Sequence, residues 1–313
     1  MIKQRVLILA VLYLGQYNIR IDVPFVSLDV RVADSAGRPV TNLTKDDFLV
    51  YEDGQLQNLQ TFASADSPYD LILLSDCSDS TLKEWPLLKA ATQQLLKHRK
   101  PQDRTLIAAF GSQVQVIRNW NSKRENELNR DWICSGTRFY EALNWAIQKL
   151  NGVKGRKGVV MMTDGVDNSI PTRVVKTDGG EARLLVDSKT DKEFQKALRL
   201  VSKGGIPFYF VAVGTDRNPD AENPPVAWNT NPREMRLRLE QLADVSGGGV
   251  VFPTKPADVI PMYERIGREL GSSYTLGYSA PNPKADGKRH RIEVRLNRAN
   301  LTLTQSRTTY TAN

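Results

Sequence analysis

The stretch Tyr69-Asp70-Leu71-Ile72-Leu73-Leu74-Ser75-Asp76-Cys77-Ser78-Asp79-Ser80 decides the fold. Four consecutive apolar residues lead into a carboxylate, and hydroxyls follow it at +2 and +4. A short run that is apolar on both faces suits a parallel strand covered by helices. A polar cluster where such a strand ends lies where open α/β sheets place their ligands. The alternation of Asp76, Ser78 and Ser80 lets a loop turn three oxygen donors toward one point.

The rest of the middle stretch, from about 68 to 270, repeats the theme. Apolar runs at Leu71–Leu74, Leu106–Phe110, Val159–Met162 and Phe208–Val213 alternate with helical spacing at Leu82–His98, Phe139–Leu150, Lys192–Ser202 and Glu234–Val245. Thr81-x-x-Glu84 reads as a capping box for the first helix. Gln113–Ile117 reads as an antiparallel edge beside the strand before it. Alternating β and α predicts a doubly wound, mostly parallel α/β sheet with helices on both faces.

The flanks read as β. In residues 16–67, Val26, Leu28, Val30 and Val32 alternate with polar residues, and Asp53-Gly54 between two β-like segments predicts a hairpin. In residues 271–313, Tyr274–Ser279 is one strand. His290, Ile292, Val294 and Leu296 alternate with charged residues in a second, and Leu301 and Leu303 start a third. Neither flank has enough strands for a stable sheet alone. Together they are expected to form one small β-sandwich, with the α/β domain inserted between them.

Three strand-end or helix-start loops then offer oxygen donors: Asp76, Ser78 and Ser80; Thr137, after Gly136; and Asp164, after the run ending at Thr163. Hard oxygen donors without nitrogen or sulfur suit Mg²⁺, with Mn²⁺ or Ca²⁺ as alternatives, rather than zinc or copper. The order D-x-S-x-S, Thr, T-D-G resembles the metal-ion-dependent adhesion site of von Willebrand factor type A domains, and all five positions match over about 200 residues. The flanks, with Val40-Thr41-Asn42-Leu43, Asp46-Asp47-Phe48, Tyr51-Glu52-Asp53-Gly54 and Tyr274-x-x-Gly277-Tyr278, resemble a bacterial group of secreted type A proteins.

The resemblance implies a Rossmann-like fold, a divalent cation and a secreted protein-binding role. Asp76, Ser78 and Ser80 would touch the ion directly, and Thr137 and Asp164 directly or through water. A carboxylate from a partner protein would take the open position. The chain departs from the family at Asp79, where glycine is frequent. That extra carboxylate raises metal affinity, repels an acidic ligand, or points into solvent.

Two long connections, Asp167–Asp191 and Thr215–Arg233, follow strands whose ends face the metal. Asp79, Asp167 and Trp228 are candidates for a partner-recognition rim, and surface decoration is the alternative. Cys77 and Cys134 lie on loops that should converge beside the ion. They form a disulfide if the protein is secreted, or stay separate buried thiols, the usual state of a cysteine beside a ligand at a strand end.

Composition narrows the function classes. A net charge of +8 invites an anionic partner, but the basic residues are scattered and no aromatic-basic motif supports nucleic-acid binding. Two histidines, neither near a strand-end loop, and the lack of a Gly-x-Ser-x-Gly elbow argue against serine hydrolysis. A Mg²⁺-dependent phosphohydrolase of haloacid dehalogenase type is the alternative function, but it wants a second Asp where Ser78 stands. A binding module that is not an enzyme is the expectation. Residues 1–15, with Lys3 and Arg5 before the ten-residue apolar run Val6–Gly15, read as a secretory signal or as a buried first strand. Ten residues are too few for an ordinary membrane span. A secreted, periplasmic or cell-surface location is expected.

Overall fold

The computed structural model describes residues 25–78, 81, 84–120, 134–153, 155–168, 172–177, 180–185, 188–213, 232–280 and 287–311. The run Val6–Gly15, Asp79, Ser80 and Trp228 therefore lie outside the described residues, as does nearly all of the connection Thr215–Arg233.

Sixteen strands and five α-helices follow in chain order among the described residues. The N-terminal flank holds β1 (Phe25–Ala33), β2 (Phe48–Glu52), β3 (Gln55–Gln57) and β4 (Thr61–Ala63). The middle holds β5 (Tyr69–Asp76), α1 (Trp85–Leu96), β6 (Arg104–Phe110), β7 (Val114–Arg118), α2 (Phe139–Leu150), β8 (Arg156–Thr163), β9 (Thr172–Thr177), β10 (Gly180–Leu185), α3 (Lys192–Gly204), β11 (Phe208–Ala212), α4 (Pro232–Ser246), β12 (Gly249–Val251) and α5 (Val259–Ser272). The C-terminal flank holds β13 (Ser273–Ser279), β14 (Arg289–Leu296), β15 (Thr302–Gln305) and β16 (Thr309–Thr311).

The central sheet has the order β12-β11-β8-β5-β6-β7, parallel except for the antiparallel edge strand β7. The apolar runs supply both of its faces, as strand periodicity requires. Ile72 and Leu74 of β5, with Val159 and Met161 of β8, pack under α2, α3 and α4. Leu71 and Leu73, with Val160 and Met162, pack under α1 and α5 on the other side. Chain order runs from β5 to β6 on one side and later to β8 on the other. The crevice between β5 and β8 is thus the topological switch point.

Two antiparallel sheets, β15-β1-β13-β4 and β16-β14-β2-β3, enclose a separate core of Val26, Leu28, Val30, Phe48, Val50, Tyr274, Leu276, Ile292 and Val294. Each sheet mixes strands from both ends of the chain: β1 pairs with β13, and β2 with β14. The Asp53-Gly54 turn has positive φ at both residues, 48° and 82°, the requirement of a type I′ hairpin. Arg156, at the start of β8, ties the two chain crossings between sandwich and α/β domain. Its guanidinium donates to the carbonyls of Ala65 and Ser67 on the way in and of Leu270 on the way out.

Several local expectations are corrected. The capping box at Thr81 and Glu84 does not form: Glu84 is itself the N-cap of α1 without a side-chain cap bond, and the Thr81 hydroxyl donates to the carbonyl of Asp76 instead. The connection Asp167–Asp191 contains the β9–β10 hairpin. Strand β12 and helix α5 were not anticipated. Among the described residues no helix is long and apolar enough to cross a membrane.

Candidate metal centre

Asp76 is the last residue of β5, and its side chain is fully buried. One carboxylate oxygen, Oδ1, accepts from the backbone N–H of Ser78 at 2.9 Å. The other, Oδ2, accepts from the Thr163 hydroxyl at the end of β8, also at 2.9 Å. The loop after β5 is thus wound back onto the aspartate that opens it, in an Asx turn. Asp164 follows Thr163, and its Oδ1 accepts from the N–H of Val166 at 3.0 Å. Gly165, at φ 78°, turns the chain where a side chain would press against Leu239.

Two carboxylates therefore end neighbouring strands at the switch point. Burial pushes the Asp76 carboxyl up to about 7, and the Asp164 charge adds to the rise. Hydrogen bonds from Ser78 and Thr163 work in the opposite direction and do not win. A buried carboxylate that resists ionisation beside a second one is a place where a cation would be stabilising.

The third loop is brought in covalently. Cys77 and Cys134 form a disulfide, with Cα atoms 5.3 Å apart, so the separate-thiol alternative does not hold. Both side chains are buried. The bridge pins the start of the segment Cys134-Ser135-Gly136-Thr137 next to Asp76. Backbone bonds complete the junction: Ser112 N–H donates to Ser135 O, Arg138 N–H to Gly111 O, and Asn168 N–H to Thr137 O, each at 2.9 Å. A Cβ on Gly111 would lie 2.5 Å from that of Cys134, so only glycine permits this approach.

Of the five expected ligand positions, Asp76, Ser78, Thr137 and Asp164 stand on three loops drawn together by these bonds. Ser78 and Thr137 are buried. Ser80 is outside the described residues, as are Asp79 and Trp228 of the expected rim. Asp167 is placed inside rather than on the rim: it is 5% exposed, and its Oδ2 accepts the N–H of Tyr140 in the first turn of α2. A carboxylate there meets the unsatisfied N–H groups and positive end of the helix. Two further residues belong to the centre. Thr163 bonds Asp76 and accepts the N–H of Gly165 at 3.0 Å, and Thr81 donates to the carbonyls of Asp76 and Ser78. The sequence held a signal for Thr163, the first letter of T-D-G. For Thr81 it pointed to a helix cap.

The described donors are oxygen only and acidic, with Asp76, Ser78 and Thr137 buried and Asp164 half-buried, which fits a hard divalent cation. Aspartates 76 and 164 have the placement to supply the charge, and Ser78 and Thr137 neutral donors.

No protein-family model matches the sequence, and no curated protein matches it. Solved structures similar to this chain include three from different sources. One is a von Willebrand factor type A protein from Catenulispora acidiphila, 12% identical, with a TM-score of 0.49 over 94% of this chain and 75% of that one. A second is an aerotolerance-related membrane protein from Bacteroides fragilis, 16% identical, with a TM-score of 0.45 over 64% of this chain and 98% of that one. A third is the proximal thread matrix protein 1 of the mussel byssus, with a zinc-occupied metal-ion-dependent adhesion site, 11% identical. It has a TM-score of 0.45 over 69% of this chain, which spans about half (48%) of that protein's length. The chain resembles von Willebrand factor type A proteins, and its fold rests on its own strand order, with the two acidic strand ends at the switch point.

Proposed function

We propose that this protein is a metal-dependent binding module whose centre holds a divalent cation, Mg²⁺ by donor chemistry, through Asp76, Ser78, Ser80, Thr137 and Asp164. The observation that carries the reading is the meeting of Asp76 and Asp164 at the switch point, with Asp76 fully buried and its ionisation opposed by Asp164. When bound, the cation supplies a Lewis-acidic open position for a carboxylate of a partner protein. The chain's own residues do the positioning. Thr163 and the Ser78 amide orient the Asp76 carboxylate, and the disulfide holds the Thr137 loop against it. The chain then acts by binding and not by catalysis.

The Cys77–Cys134 bridge supports a location outside the cytoplasm, secreted, periplasmic or at the cell surface, because disulfides persist in oxidising compartments. Residues 68–270 would form the metal-bearing domain, and 16–67 with 271–313 the sandwich that carries it.

Thermal unfolding tests the reading. Millimolar Mg²⁺ or Mn²⁺ is expected to raise the melting temperature, because a ligand that binds only the folded state stabilises it. Asp76→Ala is expected to abolish that rise while the protein remains folded. No shift of the unsubstituted protein with either ion would overturn the proposal.

A further inference from the structure

Far from the strand-end centre, in the sheet β16-β14-β2-β3, three ligand-type side chains converge. Strand β2 turns Phe48, Val50 and Glu52 toward the sandwich core. The first two are the apolar residues such positions demand, and the third is a carboxylate only 2% exposed. Strand β14 repeats the pattern with His290, Ile292 and Val294 inward. Asp53 follows Glu52 in the type I′ turn. Ligand atoms of Glu52, Asp53 and His290 all lie within 4.8 Å of one another. His290 Nδ1 is 2.8 Å from Asp53 Oδ2 and 3.9 Å from Glu52 Oε1.

A buried carboxylate in a core position needs its oxygens satisfied. Oε1 of Glu52 accepts from the Tyr310 hydroxyl at 2.9 Å. Oε2 and the Tyr278 hydroxyl are both buried and have no hydrogen-bond partner among the described residues besides each other. Burial pushes that hydroxyl up, and its hydrogen bond to the Glu52 carboxylate pushes it further, which places the two buried groups together. A buried carboxylate flanked by two tyrosine hydroxyls, a histidine and a second carboxylate brings the donor types of a metal site to one place.

We propose that Glu52, Asp53 and His290 form a second metal site, for Zn²⁺, on the β-sandwich. One imidazole nitrogen with two carboxylates suits a borderline cation rather than Mg²⁺ or Ca²⁺. Tetrahedral Zn²⁺ with bonds of about 2.0–2.2 Å needs its ligand atoms about 3.3–3.5 Å apart. The 2.8 Å pair must therefore open by about half an ångström and the 3.9 Å pair close by a similar amount. The Asp53 side chain, 54% exposed at a turn, marks the route in from solvent, and the adjustment would exchange its bond to His290 for the ion while Oδ1 keeps the N–H of Arg291. Water or the Tyr278 hydroxyl would complete the coordination. His290 stacks on Tyr310, ring centroids 5.2 Å apart, so its ring plane is already set.

The test is zinc binding by the full chain carrying Asp76→Asn, which separates this site from the strand-end centre. Equilibrium dialysis with micromolar Zn²⁺ is expected to find one bound equivalent, and X-ray absorption at the zinc edge a single imidazole among oxygen ligands. Adding Asp53→Asn, a surface change that leaves the sandwich core intact, is expected to weaken binding roughly 10–100-fold, and His290→Gln to abolish it. A folded Asp76→Asn protein that binds no zinc would overturn the proposal. So would zinc binding that survives both added substitutions unchanged. Neither result touches the Mg²⁺-dependent melting shift, which reports on Asp76 alone.

Discussion

Asp76 has a hydrogen bond on each carboxylate oxygen and no contact with bulk water. Its raised pKa means that the folded, metal-free protein prefers the protonated acid, whereas the unfolded chain ionises near 3.8. Stability from this residue is therefore fully present below pH 3.8 and is lost as pH rises through about 7. In chelator, the melting temperature of the unsubstituted protein is expected to fall across that window relative to Asp76→Asn, whose side chain does not titrate. Saturating Mg²⁺ should flatten the difference, and a difference already flat in chelator would contradict the buried-acid account. At this scale the sequence was readable where partners are local. Asp76 and Ser78 are two residues apart, and spacing alone aligns them. Thr163 lies 87 positions from the carboxylate it bonds, and no local pattern reports that contact. Glu52 was hidden for a different reason: strand alternation makes its position apolar by rule, and an exception is visible only after the core is assembled.

Helices α2, α3 and α4 cover one face of the sheet and are joined by a buried polar junction as well as by apolar packing. Asp191 caps α3 by accepting from the N–H groups of Glu193 and Phe194, and its other oxygen accepts from Arg238 of α4 at 2.6 Å. The same guanidinium donates to Tyr140 Oη of α2 at 2.8 Å and to Glu234 at 3.2 Å, and stands over the Phe194 ring. The side chains of Arg238 and Asp191 are 2% and 0% exposed. Removing the cation leaves a buried charge uncompensated, so Arg238→Ala is expected to cost about 3–5 kcal/mol in urea unfolding. Arg238→Met, which keeps the packing on Phe194, should cost less than Arg238→Ala. A loss under about 1 kcal/mol for the alanine variant would mean that solvent reaches the junction. The helical periods that announced these elements came from their apolar faces and were silent about this cluster. Strand β12 escaped notice because three residues are too few to show a period. The Thr81 cap failed because the helix opens later, with Glu84 at its N-cap position, and Thr81 sits in the loop ahead of it, tied to the Asp76 carbonyl.

At the scale of the whole molecule, the plan was legible because the two periodicities are segregated along the chain. Alternating β flanks enclose a stretch of apolar runs and helical spacings, and such flanks cannot bury their faces except against each other. The disulfide was not legible, since the bridge and separate thiols fit the same two letters. It closes a loop with a sequence separation of 57 and connects the first crossover to the start of α2. Reduction, or the paired change Cys77→Ser and Cys134→Ser, is expected to destabilise the protein by about 2–4 kcal/mol in denaturant titration. It should also shrink the Mg²⁺-induced melting shift, because the Thr137 loop would then have to be ordered by the ion. A shift of undiminished size would show that the backbone bonds alone hold that loop.

The Arg156 clamp has a mechanical consequence. Both crossings to the sandwich lie at the foot of β5 and β8, where Tyr69 pairs with Arg156, and the acidic centre lies at their tips. If the centre holds a partner as proposed, a tug between that partner and the sandwich runs lengthwise along eight-residue strands, about 26 Å. The ladder joining β5 to β8 and β6 is then loaded in shear, so its hydrogen bonds must fail together instead of unzipping one at a time. The fold places its acidic centre and its tether at opposite ends of a strand bonded along both edges.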